Sequence, residues 1–316
     1  MSSSTSTYTK YTPATPYEDQ KHDVLYCSTT CYQVIDFSGE RSFRKVTMEM
    51  SQKSFENPDK NNIVNFMEDF TFNNLSCLAF EMLDRSLWDL MEERRWIPLN
   101  LNEIRPVTHQ LMVAFDTLKS IGILHTDLKP DNIMLVNQKD QPFKIKLIDF
   151  GLARRVSEVC MGTIMQPSSF RAPEVTLGLP LTEAVDMWGV GCIMAFLYFG
   201  RELFPRECIQ TQLMFTFFDF VENLQDAVQT YPAKKSDIGY DDRMAFLSLL
   251  MSTLDLDPER RLTPRDSLNN LFLSMFHLKK SMDTSSYEAL QCMTFLPLNH
   301  LDSEPKSDEK NDKSDP

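Results

Sequence analysis

The sequence predicts an α+β fold in two unequal lobes, a short strand-bearing N-terminal part followed by a longer, mostly helical one. YQVIDFSGERSFRKV (32–46) alternates as two short strands around a turn, and LSCLAFEML (75–83) reads as a buried strand. From about residue 100 the period changes: Ile104, Val107, Leu111, Phe115 and Leu118 keep the three-to-four spacing of an amphipathic helix, which Gly122 ends. At 316 residues with 42% apolar side chains, the chain can bury the core that such a fold needs.

Four segments follow from composition and period. Residues 1–22, opening MSSSTSTYTKYTPATP, are Ser/Thr/Pro-rich, and residues 296–316 are polar and charged, so both are expected to be disordered. Residues 23–83 carry the strands, and residues 84–295 carry the helices. After Gly122 come two short apolar runs, NIMLV and FKIKLIDF, then helices over 183–199, 208–223, 242–254 and 264–271. No internal repeat is present.

Charge and cysteine usage exclude some functions. A formal charge of -13 argues against direct nucleic acid binding, which needs clustered Lys and Arg. The apolar run GVGCIMAFLYFG (189–200) is shorter than the roughly 18 residues of a membrane span, so it reads as a buried helix, and no membrane association is expected. Cysteines at 27, 31, 77, 160, 192, 208 and 292 form no CxxC pair, and the first residues lack the charged-then-apolar pattern of a secretory leader, so none is expected. A reducing, intracellular compartment is expected.

The chemistry concentrates in GILHTDLKPDNIMLV (121–135), followed by LIDFGLA, FRAPEV and VDMWGVGC. A lone DLKP or PDN is a turn, and a lone Asp before Phe-Gly is a strand end. In this order and spacing they form the catalytic-loop, DFG and APE set of protein kinases. Phosphoryl transfer is mostly positioning and charge neutralisation. Asp127 would accept the proton of a substrate hydroxyl, and Lys129 would neutralise charge on the transferred phosphate. Asn132 and Asp149 are the candidate ligands of Mg²⁺, which favours hard oxygen donors.

Four further residues are assigned to support. His125 follows an apolar run beside an Asp that already fills the base role, so it reads as a backbone support. Glu174 of the APE motif has a candidate buried partner in Arg261 of DLDPERRLTP, a fork that would clamp the segment between DFG and APE. Asp186 opens the apolar helix. It could be a simple N-terminal helix charge, but the kinase pattern gives it hydrogen bonds to the catalytic loop.

Over about residues 32–295 the chain resembles eukaryotic protein kinases, specifically the homeodomain-interacting protein kinases near the dual-specificity tyrosine-regulated group. The likeness rests on CLAFEML, LKSIGILHTDLKPDNIMLV, KLIDFGLA, FRAPEVTLGLPLTEAVDMWGVGCIMA and LDLDPERRLTPRDSLNNLFLSMFHL. It implies a two-lobed kinase with a reduced N-terminal lobe and a hinge near Glu81–Leu83, with Phe80 as the bulky residue behind the nucleotide. It also implies ATP and Mg²⁺ as cofactors, transfer to protein Ser/Thr, a monomer acting on a protein substrate or partner, and a nuclear location. Gly39 and Val46 would be what remains of the glycine-rich loop.

The departures from that family bear on activity. Thr126, between the His and the Asp, agrees with that family, which has a residue other than the commoner Arg there; Ile164, by contrast, stands where the family has its activation-loop tyrosine, and Thr163, Ser168 and Ser169 are the remaining hydroxyls. In FSGERSFRKV, Arg41 and Arg44 occupy the other two glycine positions, where a side chain crowds the phosphates. No V-A-x-K follows. The positions 47–74 number 28, against roughly 40 residues for the usual elements. Glu49 falls at the helix-C glutamate position, and Lys45 or Lys53 could take the missing role only by reaching from another element. Two functions follow: a protein serine/threonine kinase of impaired activity, or a pseudokinase scaffold that binds partners without phosphotransfer.

Overall fold

In a computed structural model, which describes residues 24–26, 31–33, 58–72, 75–204, 224, 226, 228 and 237–279, the chain divides into two compact units. One holds residues 1–42 and 66–81, the other residues 43–65 and 82–316.

The described part of the first unit is two antiparallel pairs. Strand β1 (Val24–Tyr26) pairs with β2 (Cys31–Gln33), with Val24 opposite Gln33. Only the start of the expected 32–46 pair lies within the described residues. Strand β3 (Phe66–Phe72) pairs with β4 (Leu75–Phe80), and the rings of Phe66 and Phe80 meet edge to face at 5.8 Å. Neither β1 nor β3 is expected from the sequence. The reading of 75–83 as a buried strand needs correction: β4 ends at Phe80, and Cys77–Phe80 are half-buried. Among the described residues β4 has one neighbouring strand, β3.

The second unit holds the helical core. After the short helix α1 (Pro58–Asn61) the chain runs alongside the strand that ends at Leu147, with Leu147 N–H on the Asn62 carbonyl at 2.8 Å and Val64 N–H on the Leu147 carbonyl at 3.0 Å. Helix α2 (Leu87–Glu93) begins at a capping box, in which Ser86 Oγ accepts the Asp89 N–H and the Asp89 carboxylate accepts the Ser86 N–H. Helix α3 (Leu101–Ser120) begins at a second one, built from Asn100 and Glu103. The chain leaves it through Gly122, whose φ of 69° is a left-handed conformation that glycine adopts without strain.

Strand β5 (Ile123–Leu124) pairs with β8 (Arg154–Arg155), and β6 (Ile133–Asn137) forms a hairpin with β7 (Gln141–Leu147). These are the two apolar runs after Gly122. Asn137 Oδ1 shapes the turn between β6 and β7 by accepting the N–H groups of Lys139 and Asp140, both at 3.1 Å. Gln110 of α3 locks the hairpin in place. Its Nε2 donates to the carbonyls of Pro106 and Phe143, and its Oε1 accepts from Ile145 N–H and Asn62 Nδ2. A buried amide with all its polar capacity used holds the elements together instead of weakening them.

The short helix α4 (Pro173–Thr176) precedes α5 (Ala184–Phe199), in which every residue from Val185 to Tyr198 is buried. A helix buried on all sides belongs at the centre of its unit. A Cβ at Gly191 would lie 2.7 Å from Leu254 Cδ2 and 2.8 Å from Thr253 Oγ1, so only glycine lets α5 approach helix α6 (Asp237–Thr253) this closely. The expected helix 242–254 thus starts five residues earlier. The expected helix 264–271 is two helices, α7 (Pro264–Leu268) and α8 (Leu271–Ser274), because Asn270 interrupts it and caps the second by accepting the Phe272 N–H. Helix α9 (Phe276–Lys279) follows. The expected helix 208–223 and both terminal segments lie outside the described residues. Among those described, no helix is long and apolar enough to cross a membrane.

Candidate active site

The segment from Ile123 to Asn132 is held from three directions. Asp186, at the start of α5, accepts the N–H of His125 on Oδ2 at 2.7 Å and the N–H of Thr126 on Oδ1 at 3.0 Å. Burial raises the carboxyl of Asp186 above the ordinary Asp range, and the two backbone N–H groups pull the other way. Thr126 takes a left-handed φ of 64°, and all three of its polar groups are used. Its N–H meets Asp186, its hydroxyl donates to the Leu152 carbonyl at 2.7 Å, and its carbonyl accepts the Gln166 N–H at 3.0 Å.

His125 is fully buried. Its Nδ1 accepts the Asp127 N–H at 3.3 Å, and its Nε2 lies 3.0 Å from the Ile148 carbonyl, which fixes the neutral tautomer with the proton on Nε2. The ring also packs edge to face on Phe150, with centroids 5.0 Å apart. The histidine thereby ties the catalytic-loop backbone to the segment carrying Asp149.

Asp127 is buried and points its Oδ2 at two partners, Lys129 Nζ and Asn132 Nδ2, each at 2.9 Å. Asn132 Nδ2 also donates to the Asp127 carbonyl at 2.8 Å. The spacing works because Pro130 starts a single 3₁₀ turn over Pro130–Asn132, closed by Asn132 N–H on the Lys129 carbonyl. That turn brings the fifth residue after Asp127 back onto it. Ile148 N–H donates to the Asn132 carbonyl at 2.9 Å, so Asp149 follows directly after a residue bonded to Asn132. Asp149 has a φ of 62°, and its Oδ1 accepts the Gly151 N–H at 3.3 Å.

These residues suit a divalent ion that is completed by phosphate and water. The amide oxygen of Asn132 and the carboxylate of Asp149 are hard donors, and Mg²⁺ is commonly held by one or two such protein groups. Among the described residues no group of three His, Cys, Asp or Glu gathers as a self-sufficient metal site.

Glu174 and Arg261 lie far apart in sequence and form a buried fork, Nη1 to Oε1 at 2.5 Å and Nη2 to Oε2 at 3.0 Å. The guanidinium also donates to the carbonyls of Asp255 and Ala184 and sits 5.2 Å from the centroid of the Trp188 ring. Of the nucleotide-contacting candidates, Phe80 and Glu81 belong to the first unit and Leu83 to the second. Gly39 and Val46 lie outside the described residues, as do Arg41, Arg44, Lys45, Glu49 and Lys53.

Two residues at this site are not legible in the sequence. Gln166 is buried; its side chain accepts the Ala172 N–H at 2.9 Å and donates to the Val185 carbonyl at 2.8 Å. Arg171 donates to the carbonyls of Met165 and Gln166. Together they brace the segment between DFG and APE from within. Ile164 is exposed, while Thr163 and Ser169 direct their hydroxyls to Cys160 and Glu202.

Comparison with known proteins places this geometry among relatives. The family model described as protein kinase domain matches residues 29–273. Homeodomain-interacting protein kinase 1 of Mus musculus is 31% identical over 349 residues, covering 83% of this chain and 29% of that protein. Homeodomain-interacting protein kinase 2 of Mesocricetus auratus is 30% identical, with 83% and 30% covered. Homeodomain-interacting protein kinase 4 of Mus musculus is 43% identical over 150 residues, 47% of this chain and 24% of that protein. The chain spans less than a third of the length of these relatives. A match of 349 residues is longer than the chain itself, so the alignment opens gaps on this chain's side.

Proposed function

Because the chain belongs to the protein kinase family, we propose that it transfers the γ-phosphoryl group of ATP to serine or threonine hydroxyls of proteins, at a rate well below that of ordinary kinases. The observation that carries this reading is the Asp127 carboxylate. Lys129 and Asn132 both bind its Oδ2, and no described group bonds its Oδ1. That oxygen is oriented to accept the proton of an incoming hydroxyl. Bound Mg-ATP supplies the phosphoryl group and neutralises charge on it. Asn132 and Asp149 would hold the ion, and Lys129 Nζ, set at Asp127, would meet the phosphoryl oxygens as charge develops there. His125 and Asp186 keep the loop in the conformation that this requires.

The reduced rate follows from the N-terminal part. Residues 58–72 are taken by α1, the segment beside β7 and strand β3, so only positions 47–57 remain between Val46 and α1 for a lysine-bearing strand and a helix. Such elements average five to six and about eleven residues. With Arg41 and Arg44 in place of glycines, nucleotide affinity falls as well. The domain bounds follow the same reading: a reduced lobe over 23–83 and a catalytic lobe over 84–295.

The relatives' names describe kinases that interact with homeodomain proteins, and the nearest inference for this chain is a protein partner of that kind, met in the nucleus by a monomer. The test is transfer of labelled phosphate from Mg-ATP to a generic peptide mixture, with phosphoamino-acid analysis and Asp127→Asn as the blank. Phosphoserine or phosphothreonine formed only by the unsubstituted chain supports the reading. Equal signal in both leaves the pseudokinase scaffold as the function.

A further inference from the structure

Two consecutive residues of the catalytic loop bond to the backbone on either side of Asp149. His125 Nε2 lies 3.0 Å from the Ile148 carbonyl, one residue before it, and Thr126 Oγ1 donates to the Leu152 carbonyl, three residues after it, at 2.7 Å. We infer that Thr126 is a positioning residue for phosphotransfer, whose hydroxyl fixes the turn that presents the Asp149 carboxylate. This rests on the phosphotransfer reading, in which Asp149 is a ligand of Mg²⁺.

The turn needs an anchor from outside. Asp149 has a left-handed φ of 62°, which a non-glycine residue keeps only where its surroundings impose it. After it, Ala153 N–H on the Phe150 carbonyl at 3.0 Å closes a turn with Gly151 and Leu152 at its corners. Gly151 has no side chain to pack, and the Leu152 side chain is exposed, so neither corner is held by a buried side chain. Phe150 packs on the His125 ring before the corners, and Arg154 pairs with Leu124 after them. The Thr126 hydroxyl supplies the contact between these two, on the Leu152 carbonyl.

The residue type points the same way. Thr126 itself has a φ of 64°, where a β-branched side chain is an outlier and glycine or asparagine fits at lower cost. A position serving only the backbone turn would favour those residues. What threonine adds is a buried hydroxyl, and it is spent on Leu152.

That hydroxyl also starts from a fixed base. The Thr126 N–H is on Asp186 and its carbonyl is on the Gln166 N–H, each at 3.0 Å. The next residue is Asp127, whose carboxylate is set separately by Lys129 and Asn132. Thr126 therefore places Asp149 in register with Asp127, and phosphotransfer depends on such registration. Removing the hydroxyl loosens Asp149 and leaves the bonds of Asp127 in place.

The experiment compares the full chain with three variants. Thr126→Val keeps the shape without the hydroxyl, Thr126→Gly takes the left-handed φ without strain and also lacks the hydroxyl, and Thr126→Ser retains it. Amide hydrogen exchange is read without ligands, binding of a fluorescent ATP analogue is read against Mg²⁺ concentration, and phosphate transfer is read in parallel. We expect the Gly151 and Ala153 amides to exchange about tenfold faster in Thr126→Val and Thr126→Gly and near the parental rate in Thr126→Ser, with the amides of α3 unchanged. The Mg²⁺ concentration for half-maximal analogue binding should rise about tenfold in the same two variants. Parental exchange in Thr126→Val or Thr126→Gly overturns the inference, as does fast exchange in Thr126→Ser. Faster exchange with an unchanged Mg²⁺ requirement reduces Thr126 to a structural contact and overturns its role toward Asp149 as a ligand. If both patterns stand but the parent transfers no phosphate, the phosphotransfer reading fails and the positioning of Asp149 remains; a parent that binds no analogue with Mg²⁺ overturns both.

Discussion

Asp186 holds Thr126 in a left-handed turn by accepting its N–H at 3.0 Å, while the same carboxylate takes the neighbouring His125 N–H at 2.7 Å. A non-glycine residue in that conformation costs on the order of 1–3 kcal/mol and persists only where surrounding bonds outweigh it. Here they do: Asp186, Leu152 and Gln166 use every polar group of Thr126. The turn is what delivers Asp127 to Lys129 and Asn132. In Asp186→Asn one amide oxygen cannot serve both N–H groups. We expect a stability loss of about 1–3 kcal/mol from the unsatisfied donor and a larger relative loss of phosphotransfer, read by urea unfolding beside a kinase assay. An unchanged unfolding midpoint would mean the turn is set without Asp186.

The Glu174–Arg261 fork is buried on both sides, so removing one partner strands the other. Arg261→Ala is expected to cost roughly 3–5 kcal/mol, and the double replacement Glu174→Leu with Arg261→Met distinctly less, because no lone charge remains. Differential scanning calorimetry of the three proteins tests it. A melting temperature of Arg261→Ala equal to the parent's would contradict the pairing.

Acid stability should depend on Asp242, which joins α6 to Arg105 of α3 and His277 of α9. Burial alone would raise its carboxyl, but the hydrogen bond from His277 and the charge of Arg105 outweigh that and hold it below the ordinary Asp range. A depressed folded value means the contribution is present above the unfolded value of about 3.9 and is lost as pH falls through the folded one. Urea unfolding midpoints between pH 6 and pH 3 should therefore fall less steeply in Asp242→Asn than in the parent, from a lower start at pH 6. Parallel curves would remove Asp242 from the acid response.

Close packing of α5 on α6 gives a further test. Gly191→Ala places a methyl 2.7 Å from Leu254 Cδ2, and overpacking of this kind costs about 1–3 kcal/mol. Leu254→Ala in the Gly191→Ala background should restore part of the loss, measured as a double-mutant cycle in urea. Additive losses would show that the two side chains do not compete for space.

Much of the catalytic lobe is legible in the sequence because its signals are local. HTDLKPDN places its polar residues within one turn and one strand end, and Ile104, Val107, Leu111, Phe115 and Leu118 describe the buried face of α3 directly. The pairing of Glu174 with Arg261 is legible from motif types. Helix α2 is announced by Ser86 and Asp89 at capping-box spacing and is missed for want of a long apolar stripe. The partners of Gln166 are backbone groups of Ala172 and Val185, and the partner of Glu202 is Ser169; only tertiary structure assembles these. Strand β3, FMEDFTF, sets Glu68 among its phenylalanines on one face, which blurs the alternation that would reveal it.

The most direct measurement is the turnover number with Mg-ATP and a basic serine peptide, taken for the parent chain and for Asp127→Asn. Typical kinases turn over at roughly 1–100 per second, and each 1.36 kcal/mol of lost transition-state stabilisation is tenfold in rate. On the proposed reading, in which the strand lysine and two loop glycines are absent, we expect turnover at least about a hundredfold below that range and abolished in Asp127→Asn. Identical signal from both proteins would contradict phosphotransfer at Asp127, and turnover in the ordinary range would contradict its impairment.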